Sequence, residues 1–278
     1  MKTLIYTISI FIIGCLGPFL SFAGAQEPHT IDKRVVSANT GFGFKLFEEI
    51  IKREGNKNIF VSPASAALAL SMVYNGADGD TRQAMASALN LQGLTLEEVN
   101  RSNASLKESL ENLDPQVGLS IANSLWARQG LALRPEFVQR NKDFYNAEVS
   151  ILNFTNPAAP DRINQWVNDK TQGRITKIID TVKAEDALLL INAVYFKGSW
   201  QKKFDQAREG TFTLTDGRQK KHPMMSQMGQ YRYFEYEKFL AVRLPFCQGR
   251  VSMLVFLPGT DSSLEVFQRG LTARIWEL

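Results

Sequence analysis

The stretch from Ala187 to Trp200 limits the possible fold of this 278-residue chain more than any other. Leu188 to Phe196 is apolar at both alternating sets of positions and is interrupted only by Asn192. A run of that kind predicts a strand covered on both faces in the middle of a sheet, and not at its edge. Asn192 is the informative interruption, because an amide left unpaired in a dry interior costs about 1–3 kcal/mol and must be given partners. Two readings of it stay open at this point: a structural hydrogen-bonding group, or a switch in the sheet.

The N-terminal residues read as an export signal. Lys2 supplies a positive charge, Leu4 to Ile13 an apolar run prolonged to Phe22, and Ala23-Gly24-Ala25 a small-residue cleavage site. The expected organisation is a signal peptide over residues 1–25 and one domain over residues 26–278, placed outside the cell or in a periplasm. Ile12-Ile13-Gly14-Cys15 offers an alternative, a lipoprotein box that anchors the chain at Cys15, although Leu16 to Phe22 stays apolar where such chains turn polar. Cleavage after Ala25 leaves Cys247 as the sole thiol, so no internal disulfide is expected and a large core must hold the domain. The formal net charge of +4 selects no nucleic acid or other partner class. No second apolar run approaches the roughly 18–20 residues needed to span a bilayer.

Along the chain, Phe42, Leu46, Phe47, Ile50 and Ile51 recur at helical spacing and predict an amphipathic helix over Val35 to Arg53. Ser62-Pro63 then forms a helix start, with Ser62 as N-cap, Pro63 in the first position and Ser65 at N3. The helix that follows is apolar nearly all round and is expected to be buried, ending at Asn75-Gly76. A short helix follows Asp80-Thr81; Asp78 and Asp80 lack the spacing of a calcium loop. Leu94 to Leu113 reads as a polar, solvated helix, and Leu119 to Ala127 as a strand carrying Asn123 and Trp126. Asn156-Pro157 opens a helix with Ile163, Trp166 and Val167 on its apolar face, ending near Gly173. Beyond Trp200 come β-segments: Phe212 to Leu214, Tyr231 to Tyr236, Leu240 to Phe246 and Val251 to Leu257, before short terminal helices. Asn-x-Ser/Thr triplets begin at Asn100, Asn103 and Asn153.

The catalytic inventory is thin. The two histidines are His29, near the expected mature terminus, and His222, in a basic turn with Arg218, Lys220 and Lys221 that reads as a solvated hairpin. There is no Gly-x-Ser-x-Gly elbow, His-Glu-x-x-His, Cys-x-x-Cys or phosphate-cradling glycine loop, and Cys247 has no evident base. The chain is therefore read as a non-enzyme with no catalytic residue, cofactor or metal.

Several separate motifs share one pattern. They are Asn58-x-Phe60-x-Ser62-Pro63-x-Ser65; Asn75-Gly76-Ala77 with Thr81; and Ile163-Asn164-x-Trp166-Val167 with Thr171-x-Gly173-x-Ile175. They continue as Asn192-Ala193-x-Tyr195-Phe196-Lys197-Gly198-x-Trp200 with Phe204, then Pro223-Met224-Met225, Leu244-Pro245-Phe246, Ser252-Met253-Leu254 and Leu257-Pro258. In this order, from Val35 to Leu278, the chain resembles a serpin.

The resemblance implies an α+β fold: a large central, mainly antiparallel sheet, about eight helices and a small β-barrel, incomplete at the C-terminus. Ser62, Ser65 and Asn192 match the shutter, the polar cluster where the sheet parts. Trp200 matches the aromatic of the breach, where loop insertion starts. Asn164, Trp166, Thr171 and Gly173 match the helix that covers the sheet. A serpin presents a bait loop to a serine or cysteine protease, and the cleaved loop then enters the sheet as a strand. The Glu-x-Gly hinge and the reactive bond are not found in these residues, so the sequence as written is expected not to inhibit. Two further expectations follow: a protease partner for a form that has the loop, or a loopless, non-inhibitory binding protein. Unpaired sheet edges also predict self-association.

Overall fold

The computed structural model describes residues 10–12, 31–54, 57–214, 216–236, 239–259 and 261–276. The expected signal and the alternative lipid site at Cys15 lie outside these residues, apart from the short strand β1, Ile10–Ile12. The first half is mostly helical: α1 Lys33–Glu54, α2 Pro63–Tyr74, α3 Gly79–Ala88 and α4 Leu96–Glu111. β2 Val117–Arg128, α5 Pro135–Tyr145, β3 Glu148–Leu152, α6 Ala159–Lys170 and β4 Leu188–Gly198 follow. The last third is mainly β, with β5 Arg208–Thr213, β6 Gln219–Met224, β7 Tyr233–Tyr236, β8 Phe239–Pro245 and β9 Ser252–Pro258, then α7 Leu264–Gly270 and the single turn α8 Ala273–Trp276.

β4 explains its own sequence. Leu189, Ile191 and Ala193 pack with Trp126, Ile163, Trp166 and Val167 under α6, whereas Leu190 and Val194 pack with Leu68, Met72 and Tyr145 on the α2 side. Alternate residues thus enter two cores, so between Leu188 and Phe196 no position except Asn192 reads as wet. The expectation that this strand is central is nevertheless corrected. The sheet order is β3-β2-β4, so among the described residues β4 is an edge. Hydrophobic alternation reports covered faces and says nothing about hydrogen bonding along the margin.

β2 pairs antiparallel with β4 over its whole length, with Asn123 opposite Asn192, and parallel with β3. The central sheet is thus smaller than the resemblance suggested. A second sheet has the order β1-β9-β8-β7, and β5 and β6 form a separate hairpin. The expected small barrel is also corrected: among the described residues these strands make two open sheets and no closed barrel. The four-stranded sheet packs Phe239 and Phe256 with Phe267 of α7 against Phe47 of α1. No helix among the described residues is long and apolar enough to cross a membrane.

Two helices differ from their sequence reading. In α2, Leu70 reaches solvent while Leu68 and Met72 are buried, so the helix is open on one side. In α4 the polar side is partly the buried one, since Asn100, Ser102, Asn103, Ser105 and Lys107 are inside with Val99. Polar residues are tolerated there because each has a partner: Asn75 and Tyr145 for the two asparagines, the Asp32 amide for Ser102, the Arg101 carbonyl for Ser105 and Glu111 for Lys107.

Candidate functional site

The backbone of α2 begins where the sequence places it. Ser62 Oγ accepts from the Ser65 amide at 3.4 Å, leaving the Ser65 hydroxyl free to point away from the helix. That hydroxyl donates to Asn192 Oδ1. The other end of the same amide, Asn192 Nδ2, donates to Asn123 Oδ1 at 2.6 Å across the β2–β4 pair. Asn123 Nδ2 then donates to the Tyr145 carbonyl at the end of α5, at 2.8 Å. A polar clasp therefore joins the N-terminus of α2, the edge strand β4, the inner strand β2 and α5. Ser62, Ser65 and Asn192 do come together, and Asn123 completes the group.

Trp200 lies apart from this clasp, beyond the C-terminal end of β4. Its ring stacks on Phe246 at 4.2 Å and 18°, meets Phe204 edge-on at 5.3 Å, and its backbone bridges to Phe246. Phe196 packs edge-on against the same Phe246 at 5.1 Å, so the end of β4 is tied to the β8–β9 turn by aromatic contacts. Cys247 follows Phe246 with φ 42°, a left-handed conformation that the hydrogen bond from its amide N–H to the Ser199 carbonyl at 2.8 Å helps to hold.

The four α6-region residues are brought together around the helix and its exit. Asn164 Oδ1 accepts from the Ile178 and Ile179 amides at 2.8 and 3.1 Å, and its Nδ2 donates to the Ile179 carbonyl at 2.8 Å. The returning segment is thereby pinned along α6 without being a strand. Trp166 Nε1 donates to Glu148 Oε2 of β3 at 2.8 Å, with Lys170 above its ring. Thr171 Oγ1 donates to the Val167 carbonyl and accepts from the Ile175 amide. Gln172, at φ 51°, takes the left-handed conformation that ends the helix, and Gly173, at φ 77°, follows it and donates its amide to the Asn168 carbonyl at 2.8 Å.

A family model described as Serpin (serine protease inhibitor) matches residues 37–277. The chain belongs to the serpin family. It is 34% identical over 231 residues to serine protease inhibitor 42Dd of Drosophila melanogaster, covering 81% of this chain and 62% of that protein. It is 31% identical over 246 residues to the corticosteroid-binding globulin of Saimiri sciureus, covering 84% of this chain and 60% of the globulin. Among solved structures, emu ovalbumin superposes with a TM-score of 0.82 at 28% identity, covering 87% of this chain and 68% of ovalbumin. The chain thus spans less than two thirds of the length of both curated relatives. Serpins in general inhibit proteases, and some are non-inhibitory binders.

Sequence reasoning missed a second polar group in this serpin. Tyr145 Oη donates to Asn100 Oδ1 at 2.8 Å and accepts from Asn103 Nδ2 at 3.3 Å. Asn100 Nδ2 donates to Asn75 Oδ1 at 2.8 Å, and Asn75 Nδ2 to Asn141 Oδ1 at 3.2 Å. Burial pushes the Tyr145 phenol well above its ordinary range, so it stays a neutral donor. Tyr145 therefore belongs to both groups, through its carbonyl and through its hydroxyl. A signal for Asn123 was present: like Asn192, it is a lone amide in an apolar strand, and pairing the two strands sets the two amides opposite each other, where one donates to the other.

Proposed function

We propose that this chain supplies the strand-accepting sheet of a serpin-type inhibitor of serine or cysteine proteases. The bait loop of that inhibitor is assigned to polypeptide outside the 278 residues given. The observation that carries the reading is the Ser65–Asn192–Asn123 clasp, set on a strand whose other edge has no partner among the described residues. An edge strand with two apolar faces already packed and half-buried can add a neighbour at little further cost in hydrophobic exposure. Parting α2 from β4 at the Ser65–Asn192 bond would let the sheet adjust to that neighbour, and Trp200 would anchor the end of β4 while it did so. The covering helix α6, clamped through Asn164, would keep the far face dry.

The test is an intact-mass measurement on the secreted native product, followed by incubation with a panel of serine proteases. The reading expects a mass above the 31.2 kDa of this chain and a protease adduct that survives denaturing electrophoresis. A stable native product of 31.2 kDa or less that forms no adduct would overturn it. In that case a non-inhibitory binding role is favoured by one observation. A cleft of about 310 Å3 beside β4 is lined by Arg174, Ile175, Val194, Tyr195, Phe196 and Lys197.

A further inference from the structure

The three Asn-x-Ser/Thr triplets are alike in sequence and differ completely in the fold. Asn100 and Asn103 are each 1% exposed, and their amide nitrogens are donated to Asn75 and to Tyr145. A sugar on either nitrogen would remove a hydrogen of the buried asparagine–tyrosine group and would have no room. Asn153 is the reverse case. It is exposed in the turn between β3 and α6, and Thr155 is exposed beside it. Between them Phe154 is 3% exposed and packs in the core beneath α6, which fixes the two flanking side chains outward.

The local geometry also suits the chemistry. Asn153 Oδ1 accepts from the Thr155 amide at 3.0 Å and from the Thr155 hydroxyl at 2.7 Å. Both donors polarise the amide and make an Nδ2 proton easier to give up to a base as the nitrogen attacks, and Nδ2 has no protein partner among the described residues. We propose that Asn153 is an N-glycan attachment site of this protein and that Asn100 and Asn103 are not. The donor class is a polyprenyl-diphosphate-linked oligosaccharide. The amide nitrogen attacks the anomeric carbon and the N–C bond forms as the C–O bond to the diphosphate breaks. The lipid diphosphate leaves, and the amide proton passes to a base of the transferase. The inference rests on the reading that the chain is exported, so the test separates the two.

The full chain is expressed in a glycosylating eukaryotic host with its own first 25 residues and, in parallel, with an unrelated signal sequence in their place. The secreted protein is analysed by intact mass and by peptide mapping after enzymatic removal of N-glycans, which marks each former site as Asp. The expected result for the replaced leader is one glycan, at Asn153, lost in Asn153→Gln and in Thr155→Ala. A secreted chain without a glycan at Asn153, or with one at Asn100 or Asn103, overturns the proposal. If the chain stays in the cell, an unmodified Asn153 in the retained lumenal pool overturns it equally. Glycosylation with the replaced leader but not with the natural one supports the proposal and contradicts only the export reading.

Discussion

Asn192 offers two polar ends to two different elements, and truncating it strands both partners. In Asn192→Ala the Ser65 hydroxyl loses its acceptor and Asn123 Oδ1 loses its donor, while the mutant adds no polar group that could replace either. The expected cost is about 1–3 kcal/mol of stability, accompanied by more oligomer, because the α2 contact that restrains β4 is weakened. Denaturant unfolding and light scattering check both effects, and unchanged values would remove the clasp from the account. At this scale the sequence was legible where a polar residue broke an apolar pattern. Asn192 was visible for that reason, and Ser62 was visible as a cap before Pro63. The buried Asn75, Asn100 and Asn103 were not, because they lie in segments that read as polar helix or turn, where composition cannot tell a wet amide from one satisfied inside, and Asn141 lies in a stretch that carried no sequence reading.

At the scale of elements, α4 is held at its start by a capping box with an added cation. Thr95 donates its backbone amide and hydroxyl to Glu98 Oε2 at 2.7 and 2.8 Å, and Arg34 of α1 reaches Oε1 at 2.7 Å. The Thr95 amide first, then Arg34 and the Thr95 hydroxyl, hold the Glu98 carboxyl down from its ordinary 4.5 to about 2. A carboxyl lowered by folding contributes stability above its unfolded pKa and loses it as pH falls through the folded value. The thermal midpoint of Glu98→Gln should therefore lie below that of the native chain near neutral pH, with the gap closing between about pH 4.5 and 2. A gap that stays constant with pH would assign the effect to packing. Of the elements, α1, α6 and the late strands were legible from periodicity and α2 from its cap. The cap read at Asn156-Pro157 is displaced: α6 starts at Ala159 with Ala158 as N-cap, and Asn156 Oδ1 instead accepts from the Ala158 amide in the preceding turn. α5 and β3 were not read, since their short stretch mixes charge with few apolar residues. β6 was taken as a basic turn because all its residues are exposed and no alternation marks it.

The whole molecule joins two sheets through α1 packed on α2, and through the aromatic contacts of Trp200 and Phe246, with the clasp near the middle of the β2–β4 pair. The family was legible because the motifs mark positions where side chains serve several elements at once. The edge position of β4 was not, because strand order is set by pairing across the whole chain. Open margins explain the expectation of self-association, and the same margin is the central claim of the proposed function: β4 accepts a further strand. Alternate residues of β4 direct their amides away from β2, so a new neighbour would protect every second amide between Leu188 and Gly198. Hydrogen exchange, read residue by residue in the full chain with and without a small-residue-rich strand peptide, tests this most directly. The account predicts alternating protection along β4 on adding the peptide, together with a higher thermal midpoint. Unchanged exchange along β4 at saturating peptide would contradict it.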